Sequence, residues 1–167
     1  MDRREKETVL ASLYDEYFDK IARYVFVRLG NSRVAEDIAG EVFLKALASL
    51  NSYKERGVPM QSWLFKIAHN MIIDYKRREF RRETVPLDTV QMPDSIDIQA
   101  MAEAKAEQER VSRALNQLAP EQRQVIELRF FGGLTSEETG QVLNKKSGAV
   151  RQMQSSALKK LRNILGG

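Results

Sequence analysis

The sequence predicts an all-α protein, and three observations support that fold class. Apolar residues recur at intervals of three and four positions over most of the 167 residues, as they do on one face of a helix. We find no convincing alternation of apolar and polar residues bounded by turn signals, which strands would require. The 4 prolines lie outside the strongly periodic stretches; they are Pro59, Pro86, Pro93 and Pro120.

The first half of the chain predicts three helices. The first covers residues 7–29, ends at Gly30-Asn31 and has an apolar face of Leu10, Leu13, Tyr14, Tyr17, Ile21, Tyr24, Val25 and Leu29. The second covers residues 33–50 and buries Val34, Ile38, Val42, Ala46 and Leu50. After a break at Gly57-Val58-Pro59, the third covers residues 62–81 and buries Leu64, Ile67, Ala68, Met71 and Tyr75. Three helices with one apolar face each form a small bundle.

The second half predicts more helices beyond a linker. Two prolines and three aspartates within residues 84–99 favour an extended segment. A helix resumes over residues 100–118, and Pro120 suits the first turn of the next helix, which carries Val125, Ile126, Leu128 and Phe130 and stops at Gly132-Gly133. We therefore predict two small helical domains, residues 1–82 and 108–167, joined by a linker over residues 83–107.

Residues 134–153 carry the pattern of a helix-turn-helix. Thr135 and Glu138 form a capping box that begins a short helix. Asn144 tolerates the left-handed conformation of a tight turn, and Ser147 can cap a longer helix that buries Val150, Ala157, Leu158, Leu161 and Ile164. Gly140 costs about 1 kcal/mol against alanine inside a helix. We expect it where two helices cross too closely for a side chain.

Charge favours contact between this motif and nucleic acid. Residues 108–167 hold 10 Lys+Arg against 5 Asp+Glu, and no acidic residue follows Glu138. The outward side chains of the second helix suit phosphates and base edges; they are Lys145, Lys146, Arg151, Gln152, Ser155 and Lys159. A helical hairpin with a basic, solvated face remains the alternative at this point.

The third helix gives separate evidence for nucleic-acid binding. Five of the seven residues at 76–82 are basic, which would neutralise backbone phosphates. A polar row runs along the helix at His69, Asn70, Asp74 and Arg77. We expect His69 to be exposed or to cap a helix, and Asp74 to pair with Arg77 or Arg78. Trp63 beside a flexible loop could stack on unpaired bases, but a place in the core fits a single tryptophan better.

Composition makes an enzyme the least favoured class. The chain has 0 cysteines and 1 histidine, which excludes thiolate and histidine-rich metal sites. It has neither a glycine-rich phosphate loop nor paired carboxylates with a supporting base, so we expect no catalytic residue, cofactor or metal. No apolar run approaches membrane-spanning length, and the charged start does not fit a secretory signal. We expect a cytoplasmic protein that does not insert into membranes.

Three segments resemble successive motifs of bacterial RNA polymerase sigma factors of the extracytoplasmic-function (ECF) type. They are AEDIAGEVFLKAL at 35–47, WLFKIAHNMIIDYKRR at 63–78 and LAPEQRQVIELRFFGGLTSEETGQVL at 118–143. Their order along nearly the whole chain is more specific than any single segment. The resemblance implies a region 2 domain, a linker and a region 4 domain.

The resemblance also implies roles for particular residues. The second helix would dock on the β′ clamp helices of core RNA polymerase through Asp37, Glu41, Phe43 and Leu44, with a structural role still open for Phe43. The minus ten element would be opened, with a flipped base, by Arg56, Met60, Gln61, Asn70, Arg77 and Arg78. The minus thirty-five element would be read by Lys145, Lys146, Ser147, Arg151, Gln152, Ser155 and Lys159. Other implied partners are the polymerase β flap, promoter DNA and an anti-sigma factor.

Some positions depart from the family pattern. Met60 stands where the family frequently has an aromatic residue, and Gly40 stands where it often has a polar one. Thr139-Gly140 replaces the Ile-Ala that is usual in the helix-turn-helix.

Two other functional classes of protein remain open. A helix-turn-helix regulator acting without polymerase would need a dimer interface or effector pocket, and a helical adaptor would lack the steep salt dependence of phosphate contacts.

Overall fold

The computed structural model describes residues 1–54, 57–82 and 98–166, with side chains described at 103 and beyond in the last range. The helices are α1 (Arg3–Leu29), α2 (Ser32–Ala48), α3 (Met60–Arg81), α4 (Ile98–Asn116), α5 (Pro120–Ile126), α6 (Ser136–Leu143) and α7 (Ser147–Gly166). A short 3₁₀ turn, Leu50–Ser52, follows α2, and a π-helical turn, Glu127–Phe131, follows α5. Every regular element within these ranges is helical, which confirms the all-α prediction. None of the helices described is both long and apolar enough to cross a membrane.

Capping side chains set the ends of the first helices. The Glu5 amide donates to Asp2 Oδ1 at 2.8 Å, so α1 begins well before the predicted start at residue 7. Gly30 ends α1 with a φ of 75°, in the left-handed region that glycine adopts without steric cost. Asn31 then caps α2, because its Oδ1 accepts from the Val34 amide at 3.1 Å.

The larger hydrophobic core lies among α1, α2 and α3. The predicted faces of α1 and α2 supply buried residues such as Ile21, Val25 and Val42, and Leu50 is buried in the 3₁₀ turn after α2 rather than in the helix. In α3 the buried stripe differs from the predicted one, because Phe65 and Ile72 are fully buried whereas Ile67, Met71 and Tyr75 are only half-buried. The stripe is rotated because α3 contacts α6 as well as α1 and α2.

The C-terminal half begins earlier than the predicted resumption of helix. α4 starts at Ile98, so residues 98–107 of the predicted linker are helical, and residues 83–97 lie outside the described part. Pro120 is the first residue of α5, as predicted. Of the four apolar residues named for this helix, Val125, Ile126 and Leu128 are buried, whereas Phe130 is 50% exposed. The π-helical turn, in which the Gly132 amide donates to the Glu127 carbonyl, places Leu128 inward and Phe130 outward.

The helix-turn-helix has the predicted caps and turn. Thr135 Oγ1 accepts from the Glu138 amide at 3.0 Å, and Glu138 Oε1 accepts from the Thr135 amide at 2.9 Å. Asn144 ends α6 with a φ of 57°. A Cβ on Gly140 would lie 2.3 Å from the Lys145 carbonyl oxygen, so a backbone turn rather than a crossing helix requires the glycine.

The last helix departs from its prediction at two positions. Ser147 is the first residue of α7 rather than its cap. Val150 and Ala157 are buried as expected, but Leu158 is 37% exposed.

The two halves pack against each other. Leu128, Leu134 and Val142 from the C-terminal half belong to the same core cluster as α1–α3. A Cβ on Gly132 would lie 2.8 Å from the ring of Phe65, so the glycine permits this close approach. A smaller cluster of Leu115, Leu118, Ile126 and Ala157 holds α4, α5 and α7 together.

Candidate nucleic-acid and protein interfaces

An apolar groove with acidic edges lies between α1 and α2. Its volume is about 740 Å³, and its lining includes Leu10, Tyr14, Asp37, Gly40, Glu41, Phe43, Leu44 and Leu47. Leu44 is 68% and Leu47 43% exposed, although both are large apolar side chains. Exposed apolar residues grouped in a concave surface are typical of a protein-binding site.

Four residues were expected to contact polymerase. Three of them line the groove with exposed side chains, namely Asp37, Glu41 and Leu44. Phe43 is only 7% exposed and packs edge-on against Tyr14, with ring centroids 5.0 Å apart. The fourth residue therefore belongs mainly to the core and forms the floor of the groove. Leu47 was not among the predicted contacts, although it follows Leu44 by about one helical turn and is an apolar residue outside the buried stripe of α2.

The outer face of α3 carries the exposed residues Asn70, Arg77 and Arg78. Arg77 Nη1 lies 4.0 Å from Asp74 Oδ1, which confirms the predicted local ion pair. Both side chains are more than half exposed, so this pair holds Arg77 only weakly and leaves it available to an anion. The spacing of seven residues puts Asn70 and Arg77 on one face.

His69 is not exposed as expected. It is half-buried, with Nδ1 3.4 Å from the Tyr24 hydroxyl. Burial lowers the pKa of His69 below its ordinary value, and the nearby Arg28 lowers it further. The neutral ring is therefore a structural group under α3 rather than part of the exposed polar row.

The loop before α3 is covered by α6. Gln61 Nε2 donates to Glu138 Oε2 at 3.0 Å, and the Ser62 hydroxyl donates to Gln141 Oε1 at 2.8 Å. Gln141 Nε2 in turn donates to the Gly57 carbonyl at 2.8 Å. These three bonds fasten the first helix of the helix-turn-helix to the first turn of α3 and to the loop before it, a contact between distant segments that was not predicted from the sequence.

Met60 and Arg56 were both expected to contact DNA near this loop. Met60 is 3% exposed and part of the core, which contradicts its expected place in a base pocket. It is buried because α3 begins at Met60 and turns that first side chain inward. Arg56 lies outside the described residues. Trp63 is half-buried, with its ring centroid 5.0 Å from that of Tyr53, and it lines a surface cavity of about 710 Å³.

The N-terminal half of α7 presents a basic and polar surface. The exposed side chains of this surface are Lys146 just before the helix, Arg151, Gln152 and Ser155 in its N-terminal half, and Lys159 four residues after Ser155. Ser147 is half-buried. Lys145 Nζ lies 3.3 Å from Glu121 Oε1 and the side chain is 28% exposed, so Lys145 is not the free outward cation that was expected. α7 itself carries no acidic side chain that would repel a phosphate, because no Asp or Glu occurs after Glu138.

Within the described ranges, no three His, Cys, Asp or Glu side chains lie close enough together to hold a metal ion. The candidate surfaces are thus an apolar groove with acidic edges, a basic face on α3 and a basic, polar face on α7. Their chemistry is suited to binding.

Comparisons with known families and proteins agree with this arrangement. The family model "Sigma-70 region 2" matches residues 13–82, and "Sigma-70, region 4" matches residues 114–163. The ECF RNA polymerase sigma factor ShbA of Streptomyces griseus is 37% identical over 136 residues, which are 77% of this chain and 70% of ShbA. The chain belongs to the ECF RNA polymerase sigma factor family.

Other relatives of this ECF sigma factor are longer. BldN of Streptomyces coelicolor is 33% identical over 158 residues, which are 92% of this chain but 59% of BldN. SigD of Mycobacterium tuberculosis is 32% identical over 149 residues, 86% of this chain and 70% of SigD. The chain thus spans about three fifths of the length of BldN.

Two solved structures share the fold of this ECF sigma factor. CnrH, solved in complex with the cytosolic domain of CnrY, gives a TM-score of 0.70 at 20% identity and covers 96% of this chain and 89% of CnrH. The sigma factor RpoE of Bartonella quintana, solved with the anti-sigma factor NepR, gives a TM-score of 0.65 at 21% identity. The match covers 93% of this chain and 96% of RpoE. At these identities the likeness concerns the fold alone.

Proposed function

We propose that this chain binds core RNA polymerase and directs promoter-specific initiation of transcription. The observation that carries the proposal is the order of the two family matches along one chain, each coinciding with a surface of suitable chemistry. Residues 1–82 form the polymerase-binding and minus ten domain, residues 108–167 form the minus thirty-five domain, and residues 83–107 join them.

The groove between α1 and α2 is the proposed docking surface for the β′ clamp helices. Leu44 and Leu47 supply apolar area, while Asp37 and Glu41 at the edge supply charge that selects and steers the partner. Phe43 supports the groove from below. The second domain contacts the β flap in this proposal, as the family resemblance implies.

The exposed face of α3 is the proposed site of promoter melting. Asn70, Arg77 and Arg78 would contact the minus ten strand, together with Gln61 in the first turn of α3 and with Arg56. Unstacking a base costs a few kcal/mol, so a site that rewards only the flipped base couples recognition to strand opening. Met60 is excluded from direct contact by its burial.

The N-terminal half of α7 is the proposed reader of the minus thirty-five element in the major groove. Arg151 and Gln152 are long enough to reach base edges, whereas Lys146 and Lys159 suit phosphates. Ser147 and Ser155 are further hydroxyl donors on the same surface. Lys145 would have to leave Glu121 before it could contact DNA.

The chain performs no chemical step in this proposal, since polymerase transfers the nucleotides. It works in the cytoplasm, where polymerase and promoters are, and does not insert into the membrane. We also propose control by an anti-sigma factor, an idea supported by the complex of Bartonella quintana RpoE with NepR.

Run-off transcription with core polymerase on genomic fragments, followed by mapping of start sites, tests the proposal. We expect defined start sites that depend on added chain. A specific gel shift of duplex promoter DNA by the chain alone, without transcription when core polymerase is present, would instead favour a regulator that acts without polymerase.

The melting role has its own test. Asn70→Ala with Arg77→Ala should abolish permanganate-reactive thymines near the start site while polymerase binding stays normal. A template with a pre-melted bubble should restore much of the activity, because the cost of flipping has been met. Normal polymerase binding without rescue by the bubble would refute the role of α3.

A further inference from the structure

A polar cavity of about 200 Å³ lies where α1, α3, α4 and α5 meet, and none of the surfaces described above uses it. Its polar and charged lining consists of Arg28, Lys76, Ser112, Asn116, Arg123 and Glu127. One water takes up about 30 Å³ in the liquid, so the cavity has room for a small ion together with water.

Cations outnumber anions around this cavity. Arg28 Nε lies 3.5 Å from Glu127 Oε2, and Arg123 Nε lies 3.3 Å from Glu127 Oε1. Lys76 adds a third positive charge to the lining. The side chains of Arg28 and Glu127 are only 4% and 1% exposed, so water does little to screen them. One carboxylate therefore faces three cations, of which Arg28 is buried while Arg123 and Lys76 lie at the solvent-accessible side of the cavity.

The two arginines also have hydrogen-bond donors to spare. Each guanidinium has five N–H donors. Arg28 Nη1 donates to the Tyr24 hydroxyl and Arg123 Nη1 to Asn116 Oδ1, both at 3.2 Å. The buried Nε atoms of both arginines face Glu127 oxygens at 3.5 and 3.3 Å without the geometry of a hydrogen bond, and Glu127 Oε1 likewise has no hydrogen-bond donor within the described residues. The pairs with Glu127 are therefore electrostatic, and they leave N–H donors of both arginines open to a further acceptor.

The pKa of Lys76 reflects both its burial and the positive charge of its neighbours, whereas the pKa of Glu127 reflects burial above all. Burial lowers the pKa of Lys76, and Arg28 and Arg123 lower it further against the opposing effect of Glu127. Burial also raises the pKa of Glu127, because loss of hydration outweighs the three cations around it. A second anion in the cavity would favour the charged form of Lys76.

We propose that this cavity binds a small tetrahedral oxyanion, such as inorganic phosphate or sulfate, held by Arg28, Lys76 and Arg123. The same chemistry is offered by a free ion and by the terminal phosphate of a nucleotide. A phosphodiester within a DNA strand is excluded, since chain on both sides of the phosphate cannot enter a cavity whose central arginine is 4% exposed. Because the ligands come from both halves of the chain, the bound anion stabilises their packed arrangement.

Calorimetric titration and thermal unfolding of the full chain with sodium phosphate test the proposal. The pH is held constant, and sodium chloride keeps the ionic strength constant. We expect saturable binding at one site and a rise in Tm that saturates with it. Arg123→Gln and Lys76→Gln should each weaken binding at least about tenfold, the effect of losing one charge-assisted hydrogen bond.

The controls separate a built site from general charge effects. Lys160→Gln removes one exposed cation from α7, outside the cavity, and should leave phosphate binding unchanged. Arg123 is 25% exposed and Lys76 is exposed, so their variants should fold, which circular dichroism checks. A response that follows ionic strength alone, or that Lys160→Gln diminishes as much as Arg123→Gln, would overturn the proposal.

Titrations with sulfate and with ATP distinguish a free oxyanion from the terminal phosphate of a nucleotide as the occupant of the cavity. Sulfate that competes with phosphate supports a site for free oxyanions. ATP that binds more tightly than phosphate and loses binding in Arg123→Gln supports the same site with a terminal phosphate as its occupant. Absence of saturable binding by all three would refute the site.

Discussion

Replacing Leu44 and Leu47 by alanine should weaken the binding of core polymerase while leaving the fold intact. Fully burying a leucine side chain is worth about 1.5–3 kcal/mol. Leu44 is 68% and Leu47 43% exposed, and docking can bury only that exposed part. We scale the burial free energy by these exposed fractions and allow for the area that alanine retains. The double variant should then lose about 1.5–3 kcal/mol of binding free energy. That loss corresponds to about 10- to 150-fold in Kd.

The assay is an equilibrium titration of fluorescently labelled chain with core polymerase. Leu165→Ala is a matched control, because Leu165 is also 43% exposed but lies near the end of α7. It should bind polymerase like the unaltered chain. Urea unfolding should show little change in any of these variants, since the substituted side chains are exposed. Wild-type affinity in the double variant, or an equal loss in Leu165→Ala, would show that the groove between α1 and α2 is not the docking surface.

Three further predictions concern other parts of the molecule. Lys146→Ala with Arg151→Ala should weaken binding to the minus thirty-five element and reduce the slope of log K against log salt by about 2, without changing polymerase affinity; an equal loss of polymerase affinity would contradict the proposed role of α7. Gly140→Ala should destabilise the fold by about 1–3 kcal/mol in urea unfolding, since its Cβ would lie 2.3 Å from the Lys145 carbonyl oxygen, and unchanged stability would refute that clash. The NMR titration of His69 should have its midpoint below pH 6.5, because burial lowers its pKa. The folded state then binds fewer protons than the unfolded state, so the contribution of His69 to stability falls as the pH drops below about 6.5. A midpoint at or above pH 6.5 would contradict the burial argument.

Local chemistry made the helix-turn-helix predictable. The capping box at Thr135 and Glu138 and the left-handed turn at Asn144 depend on residues within ten positions of one another, so the sequence contains everything that determines them. The start of α1 escaped prediction, although Asp2 caps it, because its first turn has no apolar stripe to signal a helix.

Burial was harder to predict where it depends on distant segments. Phe65 and Ile72 are buried on α3 and Met60 at its first residue, while Phe130 and Leu158, equally apolar, face outward. The difference comes from which helices meet, and the periodicity of a single helix does not contain that information. The contact of α6 with the loop before α3 and the pairing of Arg28 with Glu127 are of the same kind.

The exposure of the candidate residues could be predicted where their position around the helix axis determines which side chains face solvent. Asn70 and Arg77 share a face, as their spacing required, and Arg151, Gln152, Ser155 and Lys159 all point outward. Lys145 did not follow this rule, because Glu121 from another helix holds it. The DNA and polymerase roles of these residues remain predictions.

Because α6 is hydrogen-bonded to the first turn of α3 and to the loop before it, promoter recognition depends on the fraction of molecules in which these bonds are broken. If DNA is read by Gln61 and its neighbours, only molecules in which α6 has released the loop are competent to bind it there. The observed dissociation constant then equals the intrinsic one divided by the competent fraction. Each change of about 1.4 kcal/mol in the packing of α6 would shift apparent promoter affinity tenfold. Promoter strength can therefore drift in evolution through residues such as Gln141 while every DNA-reading side chain stays the same.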